Sequence, residues 1–141
     1  MAQEFVGTPE FAGTFVRSAT AAESRFDSAS VFIRDKRYDQ AIRLLQTIPN
    51  ENQETFLNAR LNLGYLYFLK KDFAIAIPHL TYVAGNKDYL YGEAAAWYLA
   101  IAYLSSGKIG EAEKRLEAIL KDTGHSYYQQ AAELKERLKW Y

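Results

Sequence analysis

One six-residue pattern occurs three times in this chain of 141 residues, and it restricts the fold more than any other feature. It reads Ala29, Phe32, Tyr38, Ala41, Leu45, Ile48, then Gly64, Tyr67, Phe73, Ala76, Leu80, Val83, then Ala100, Tyr103, Ile109, Ala112, Leu116, Ile119. The internal steps are three, six, three, four and three each time, and the copies lie 35 and 36 residues apart. Steps of three and four place residues on one face of a helix, and the step of six spans a turn. Each copy therefore reads as helix, turn, helix. A fixed period of this length is the mark of stacked supersecondary units, which build binding surfaces more often than active sites. Small residues recur at Ala29, Gly64 and Ala100 and at Ala41, Ala76 and Ala112, where two helices must approach closely. Glycine inside a helix costs about 1 kcal/mol relative to alanine, so Gly64 implies a tight contact.

Local signals give the element limits. Thr20 with Glu23 has capping-box spacing and opens a helix over 21–34. Further helices are expected at about 38–47, 51–70 (opened by Asn50 with Gln53), 73–84 (capped by Asp72), 89–105 and 109–121. Pro78 should bend the fourth of these. A last helix over 126–140, opened by Ser126 with Gln129, carries an apolar stripe of Tyr127, Ala131, Leu134, Leu138 and Tyr141. It would close the open end of the array. Residues 1–19 differ: Gly7, Pro9 and Gly13 break helix, while Phe5, Val6, Phe11, Phe15 and Val16 supply apolar anchors. The reading is an extended N-terminal arm at 1–19, followed by repeats at 22–49, 57–84 and 93–121. The arm is expected to dock on the repeats of its own chain or a neighbour's, because so many exposed apolar groups would invite aggregation.

Lys plus Arg and Asp plus Glu both number 17, so the basic footprint of a nucleic-acid binder is missing. The chain has no cysteine, which removes disulfides and thiolate zinc sites. No apolar run reaches the roughly 18–20 residues of a membrane span, so direct insertion is not expected. The two histidines, His79 and His125, lie in different units without a ligand-spaced partner. No phosphate-cradling glycine loop precedes a helix, and no base accompanies Ser105 or Ser106. Catalysis, cofactors and metals are therefore not expected.

The segments Leu63-Gly64-x-x-Tyr67 with Asp72-Phe73-x-x-Ala76-Ile77, and Trp97-Tyr98-Leu99-Ala100-x-x-Tyr103 with Gly107-x-x-x-x-Ala112, resemble the tetratricopeptide repeat (TPR) family. The likeness spans about residues 20–121. It departs from the family in its longer links between hairpins, in Pro49 coming early and in Pro78 lying inside a second helix. The resemblance implies an all-α, right-handed superhelix of three hairpins plus a capping helix. It also implies a concave groove lined by the first helix of each unit. The matching positions are Phe26, Ser30 and Arg34; Asn58, Leu61, Asn62, Tyr65 and Leu69; and Trp97, Tyr98 and Ile101. Family members that grip a C-terminal carboxylate use Lys, Asn and Arg there. Here Phe26, Ser30, Tyr65 and Tyr98 replace that clamp, which implies an aromatic, weakly polar groove. Tyr65 and Tyr98 are expected to face it, whereas Trp97 stands between core and groove. The implied function is a non-enzymatic module binding a protein or peptide segment. The alternative is a structural domain that forms a homodimer through arm or groove. A looser similarity, carried by residues 98–103, 111–114 and the closing helix, is to small TPR domains of bacterial membrane-anchored proteins, and it favours the extracytoplasmic face.

Overall fold

The computed structural model describes residues 20–140. The arm expected at 1–19 and Tyr141 lie outside the described residues. Among the described residues seven helices follow one another: α1 (Ala21–Arg34), α2 (Tyr38–Leu45), α3 (Gln53–Leu69), α4 (Phe73–Ala84), α5 (Gly92–Ser105), α6 (Ile109–Leu120) and α7 (Tyr128–Leu138). No strand occurs among the described residues, and each helix packs on the next, so the fold is all-α. No described helix is long and apolar enough to cross a membrane.

The turn inside each pair is the same structure three times. Lys36, Lys71 and Gly107 all have positive φ, at 59°, 63° and 82°. Around them Arg37 N donates to Phe32 O at 2.8 Å, Asp72 N to Tyr67 O at 2.9 Å and Lys108 N to Tyr103 O at 2.9 Å. Lys36, Lys71 and Gly107 donate in turn to Ile33, Phe68 and Leu104. This paired pattern is a Schellman ending, which satisfies the last carbonyls of α1, α3 and α5 and reverses the chain.

The repeated pattern supplies the core. Ala29, Ala41, Ala76, Ala100 and Ala112 are fully buried, and Leu45, Leu80 and Leu116 are at most 1% exposed. Full burial of one such leucine contributes about 1.5–3 kcal/mol. Gly64 has the expected packing reason, since a Cβ there would lie 2.8 Å from both Cγ and Cδ2 of Leu80 on α4.

Three of the expected helix starts are corrected. The start of α3 is capped by Asn52, whose Oδ1 accepts from Thr55 N at 3.1 Å, two residues beyond Asn50. The expected start of α5 at 89 is taken up by turns, with Tyr89 N bonded to Asn86 O and Gly92 N bonded to Tyr89 O. Ser126 does not cap α7, because its hydroxyl donates to Glu93 Oε1 at 2.8 Å. Asp72 occupies the cap position of α4 without a side-chain cap bond. Helix α4 runs on through Pro78 without a break, with the ring on an exposed face. Thr20 caps α1 as expected, its Oγ1 accepting from Glu23 N at 3.1 Å.

Candidate functional site

The helices divide into two kinds by how they are buried. Helices α2, α4 and α6 bury a single stripe each, such as Ala76, Leu80 and Val83. In α3 and α5 the burial goes right round. Leu61 to Leu66 are buried without interruption, and so are Trp97 to Ala102. At about 3.6 residues per turn, six consecutive positions cover the whole circumference of a helix. With α1, these inner helices carry every candidate binding residue.

Equivalent stripes can be drawn along them at the repeat offsets. On α3 the stripe is Asn58, Asn62, Tyr65 and Leu69, and on α5 it is Ala94, Tyr98, Ile101 and Ser105. Both follow i, i+4, i+7, i+11, one helix face. The matching stripe on α1 is Glu23, Asp27, Ser30 and Arg34. The surface is therefore charged at the α1 side and aromatic to apolar towards α5.

The middle of this surface is an aromatic cluster. The rings of Tyr65 and Tyr98 meet edge to face at 5.6 Å, and Phe68 meets Tyr98 at 6.2 Å. Burial raises the phenol pKa of both tyrosines; Tyr127 and then Tyr65 add to the effect at Tyr98, and Tyr38 adds to it at Tyr65. Ser30 Oγ donates to Phe26 O at 3.0 Å, and Asn62 Nδ2 donates to Asn58 O at 2.8 Å. Two polar atoms on the stripes are buried without a hydrogen-bond partner: Asn62 Oδ1 and Ser105 Oγ.

The expectation of an open aromatic groove is corrected by these burials. Phe26, Ser30, Leu61, Asn62, Tyr65, Trp97, Tyr98 and Ile101 are buried, Asn58 and Leu69 are half-buried, and Arg34 is exposed. Tyr65 and Tyr98 are only 6% and 3% exposed. Part of the reason lies in the packing of the rings on one another. Trp97 belongs to the core: it stacks on Tyr127 with centroids 5.6 Å apart and planes 9° from parallel, tying α5 to the start of α7. Two contributors escaped the sequence reading. Phe68 was hidden although it lies three residues from Tyr65, a helical interval. Tyr89 donates its hydroxyl to Asn58 Oδ1 from a turn, where no periodicity could have flagged it.

A second concavity of about 620 Å³ lies between the start of α3 and the α4–α5 turn, lined by Gln53, Glu54, Leu57, Asn86, Lys87 and Tyr89 among others. It meets the α3 stripe through the Tyr89–Asn58 bond.

The histidines have structural surroundings. His79 stacks on Tyr67 at 6.1 Å, and burial first, then the Arg60 charge, lower its pKa to about 4. Arg60 itself lies over the Tyr82 ring at 4.5 Å. His125 Nδ1 accepts from Tyr127 N at 3.1 Å, and its Nε2 faces Glu93 at 3.8 Å. Glu93 thus fastens the loop before α7 through both His125 and Ser126. The Ser126 hydroxyl is bound to a carboxylate rather than to an imidazole, which is not the arrangement that activates a nucleophile. No group of three potential metal ligands occurs among the described residues.

Compared with family models, curated proteins and solved structures, the chain shows no match to any of them.

Proposed function

We propose that this chain is a non-enzymatic interaction module of the TPR type, a right-handed superhelix of three hairpins that holds an extended protein segment along the inner faces of α1, α3 and α5. The observation that carries the reading is the pair of buried, unpartnered atoms, Asn62 Oδ1 and Ser105 Oγ, on matching stripes beside Tyr65, Tyr98 and Ile101. A buried acceptor left unpaired costs about 1–3 kcal/mol, so proteins rarely keep one without a use. An extended backbone lying between the stripes offers N–H groups to such acceptors, while its side chains enter an aromatic surface. Tyrosine suits that role because it covers much area with few rotors. The recurrence of the Schellman turns at repeat spacing supports the superhelical assignment. The equal numbers of acidic and basic residues favour an apolar or aromatic peptide over nucleic acid.

Random peptides displayed on phage and selected against the full chain test this. They are expected to converge on alternating apolar residues. Asn62→Ala should weaken the selected peptides roughly tenfold, about 1.4 kcal/mol, while the helical circular dichroism signal is kept. Selected peptides that bind no better than scrambled controls would overturn the reading. Light scattering separates it from its rival, a homodimerising structural domain.

A further inference from the structure

The face of α3 opposite its inner stripe carries Phe56, Arg60, Gly64 and Tyr67, at i, i+4, i+8 and i+11. Gly64 lets α4 press close, since a Cβ there would lie 3.4 Å from Cβ of His79. Around that contact the other three residues meet His79 and Tyr82, which share one flank of α4 with Ile75. The Arg60 guanidinium lies over two rings, 4.5 Å from Tyr82 and 5.7 Å from Phe56, and these rings meet edge to face at 5.9 Å. Tyr67 stacks on His79, and its hydroxyl accepts from Gln46 Nε2 at the end of α2 at 3.0 Å. Helix α3 thus floors a crevice between the end of α2 and the flank of α4. The repeat register shows that packing alone does not call for this cluster. At the repeat offsets Arg60 corresponds to Arg25 and Ala96, and Tyr82 to Thr47 and Ala118. Arg25 Nη1 donates to Thr47 O at 3.1 Å, so the first unit uses its arginine within the fold. The third unit packs with alanine there. In the second unit Arg60 makes no hydrogen bond or ion pair among the described residues, and its Nε is buried without a partner.

We infer that this crevice docks an acidic segment of a partner protein, whose side-chain carboxylate pairs with Arg60 while an apolar neighbour covers Ile75 and Tyr82. Charge selects the sign. Arg43 shares a face of α2 with Asp39 and Gln46, and Asp39 is already paired with Lys70 at the end of α3, so the surplus among these side chains is positive. Burial first, then Arg60, keep the His79 imidazole neutral near neutral pH, so Arg60 is the one cation between the rings. Chemistry selects a carboxylate. A guanidinium is a planar fork that a carboxylate matches, and a monoanion leaves no excess charge beside the rings, as a phosphate dianion would. Shape selects a peptide over a free acid. Ile75 and Tyr82 are 41% and 40% exposed on the same flank, apolar surface that a peptide would cover and a small carboxylic acid would not. Seven residues of helix separate them, about 10 Å, which about three extended residues span. The crevice lies across α3 from the inner stripes, so the inference is independent of the proposed groove.

The test titrates the isotope-labelled full chain with acetyl-Leu-Ala-Glu-Ala-Leu-amide, read by nuclear magnetic resonance at the Nε–H of Arg60. That signal is the one missing from Arg60→Lys. It should shift saturably with the Glu peptide, and the same peptide with Gln for Glu should bind at least about tenfold more weakly. Arg60→Lys keeps the charge but not the fork, and calorimetry should show about tenfold weaker binding of the Glu peptide. Asn62→Ala, on the opposite face, should leave that affinity within about twofold. No saturable shift up to roughly 10 mM peptide overturns the inference, and so does equal binding of the Glu and Gln peptides, a comparison that needs no variant to fold. Inorganic phosphate shifting the signal as strongly as the Glu peptide would also overturn it, as an anion site without peptide chemistry. An equal loss in Asn62→Ala would place the peptide on the inner stripes and remove the crevice proposal while leaving the groove reading intact. A shift that grows with protein concentration alone, in a chain that light scattering shows to be a dimer, would make a second copy the occupant and overturn it too.

Discussion

At the scale of single residues, the three turns after α1, α3 and α5 set lysine against glycine in one backbone conformation. A left-handed residue other than glycine costs roughly 1–2 kcal/mol, and Lys36 and Lys71 both carry that cost while Gly107 does not. Replacing Lys36 or Lys71 by Gly should therefore stabilise the chain by about 0.5–1 kcal/mol, after the greater freedom of glycine in the unfolded state is set against the relief. Gly107→Ala should cost about 1 kcal/mol. Urea midpoints measure both, and equal tolerance at all three positions would contradict the turn assignment. His79 gives a pH prediction. Its folded pKa is about 4, below the ordinary 6.5, so the unfolded chain takes up its proton first as the solution is acidified. The contribution of the neutral ring is complete above 6.5 and is lost as pH falls towards 4. His79→Gln should flatten that part of the curve of melting temperature against pH, leaving only the carboxylate contribution at lower pH. An unchanged curve would mean that the imidazole is not held neutral.

At the scale of elements, α7 is fixed less by its own N-terminus than by α5. Its cap position has no side-chain bond, and instead Glu93 holds Ser126 while Trp97 stacks on Tyr127. Tyr127→Ala should remove that stack and cost roughly 1–3 kcal/mol, whereas Gln129→Ala on the exposed face should stay within about 0.5 kcal/mol. Thermal melts of the two variants decide it, and similar effects would show that α7 is held elsewhere. The same element shows what could be read from the chain. Its stripe of Ala131 and Leu134 was legible because burial follows helical period. Its start was not, because the Ser126–Gln129 spacing is a local signal that a distant carboxylate overrode. Asn50 and Asn52 are both good cap residues, and the structure uses Asn52, whose Oδ1 accepts from Thr55 N. The left-handed Lys36 and Lys71 had no compositional mark at all. At the candidate site, the repeat register sets Tyr65 and Tyr98 on α3 and α5, but periodicity cannot say what covers a helix face. Their burial was therefore beyond its reach.

At the scale of the whole molecule, contacts between successive pairs are uneven. Helices α4 and α5 pack as extensively as partners within a pair, whereas α2 meets α3 much more lightly, with a small supplement from α1. The symmetry of the sequence repeats thus hides a weak joint after the first pair. In an array whose stability is a sum of unit and interface terms, the unit behind the thinnest interface opens first. Helices α1 and α2 should accordingly show faster native-state hydrogen exchange than α3 to α6, in a partial opening that leaves the rest folded. Core truncations provide the sharper test. Leu45, Leu80 and Leu116 occupy the same repeat position and are equally buried, so Leu→Ala should cost about 2–5 kcal/mol at each. Leu80→Ala and Leu116→Ala strike the well-coupled part and should lower a single cooperative transition. Leu45→Ala strikes the weakly coupled pair and should split the urea transition, with helical signal lost first in 21–45 and the Tyr65–Tyr98 cluster persisting. Three superimposable single transitions would mean that the α2–α3 joint transmits stability as well as the others, and the first pair would then need a further contact beyond α3 to hold it.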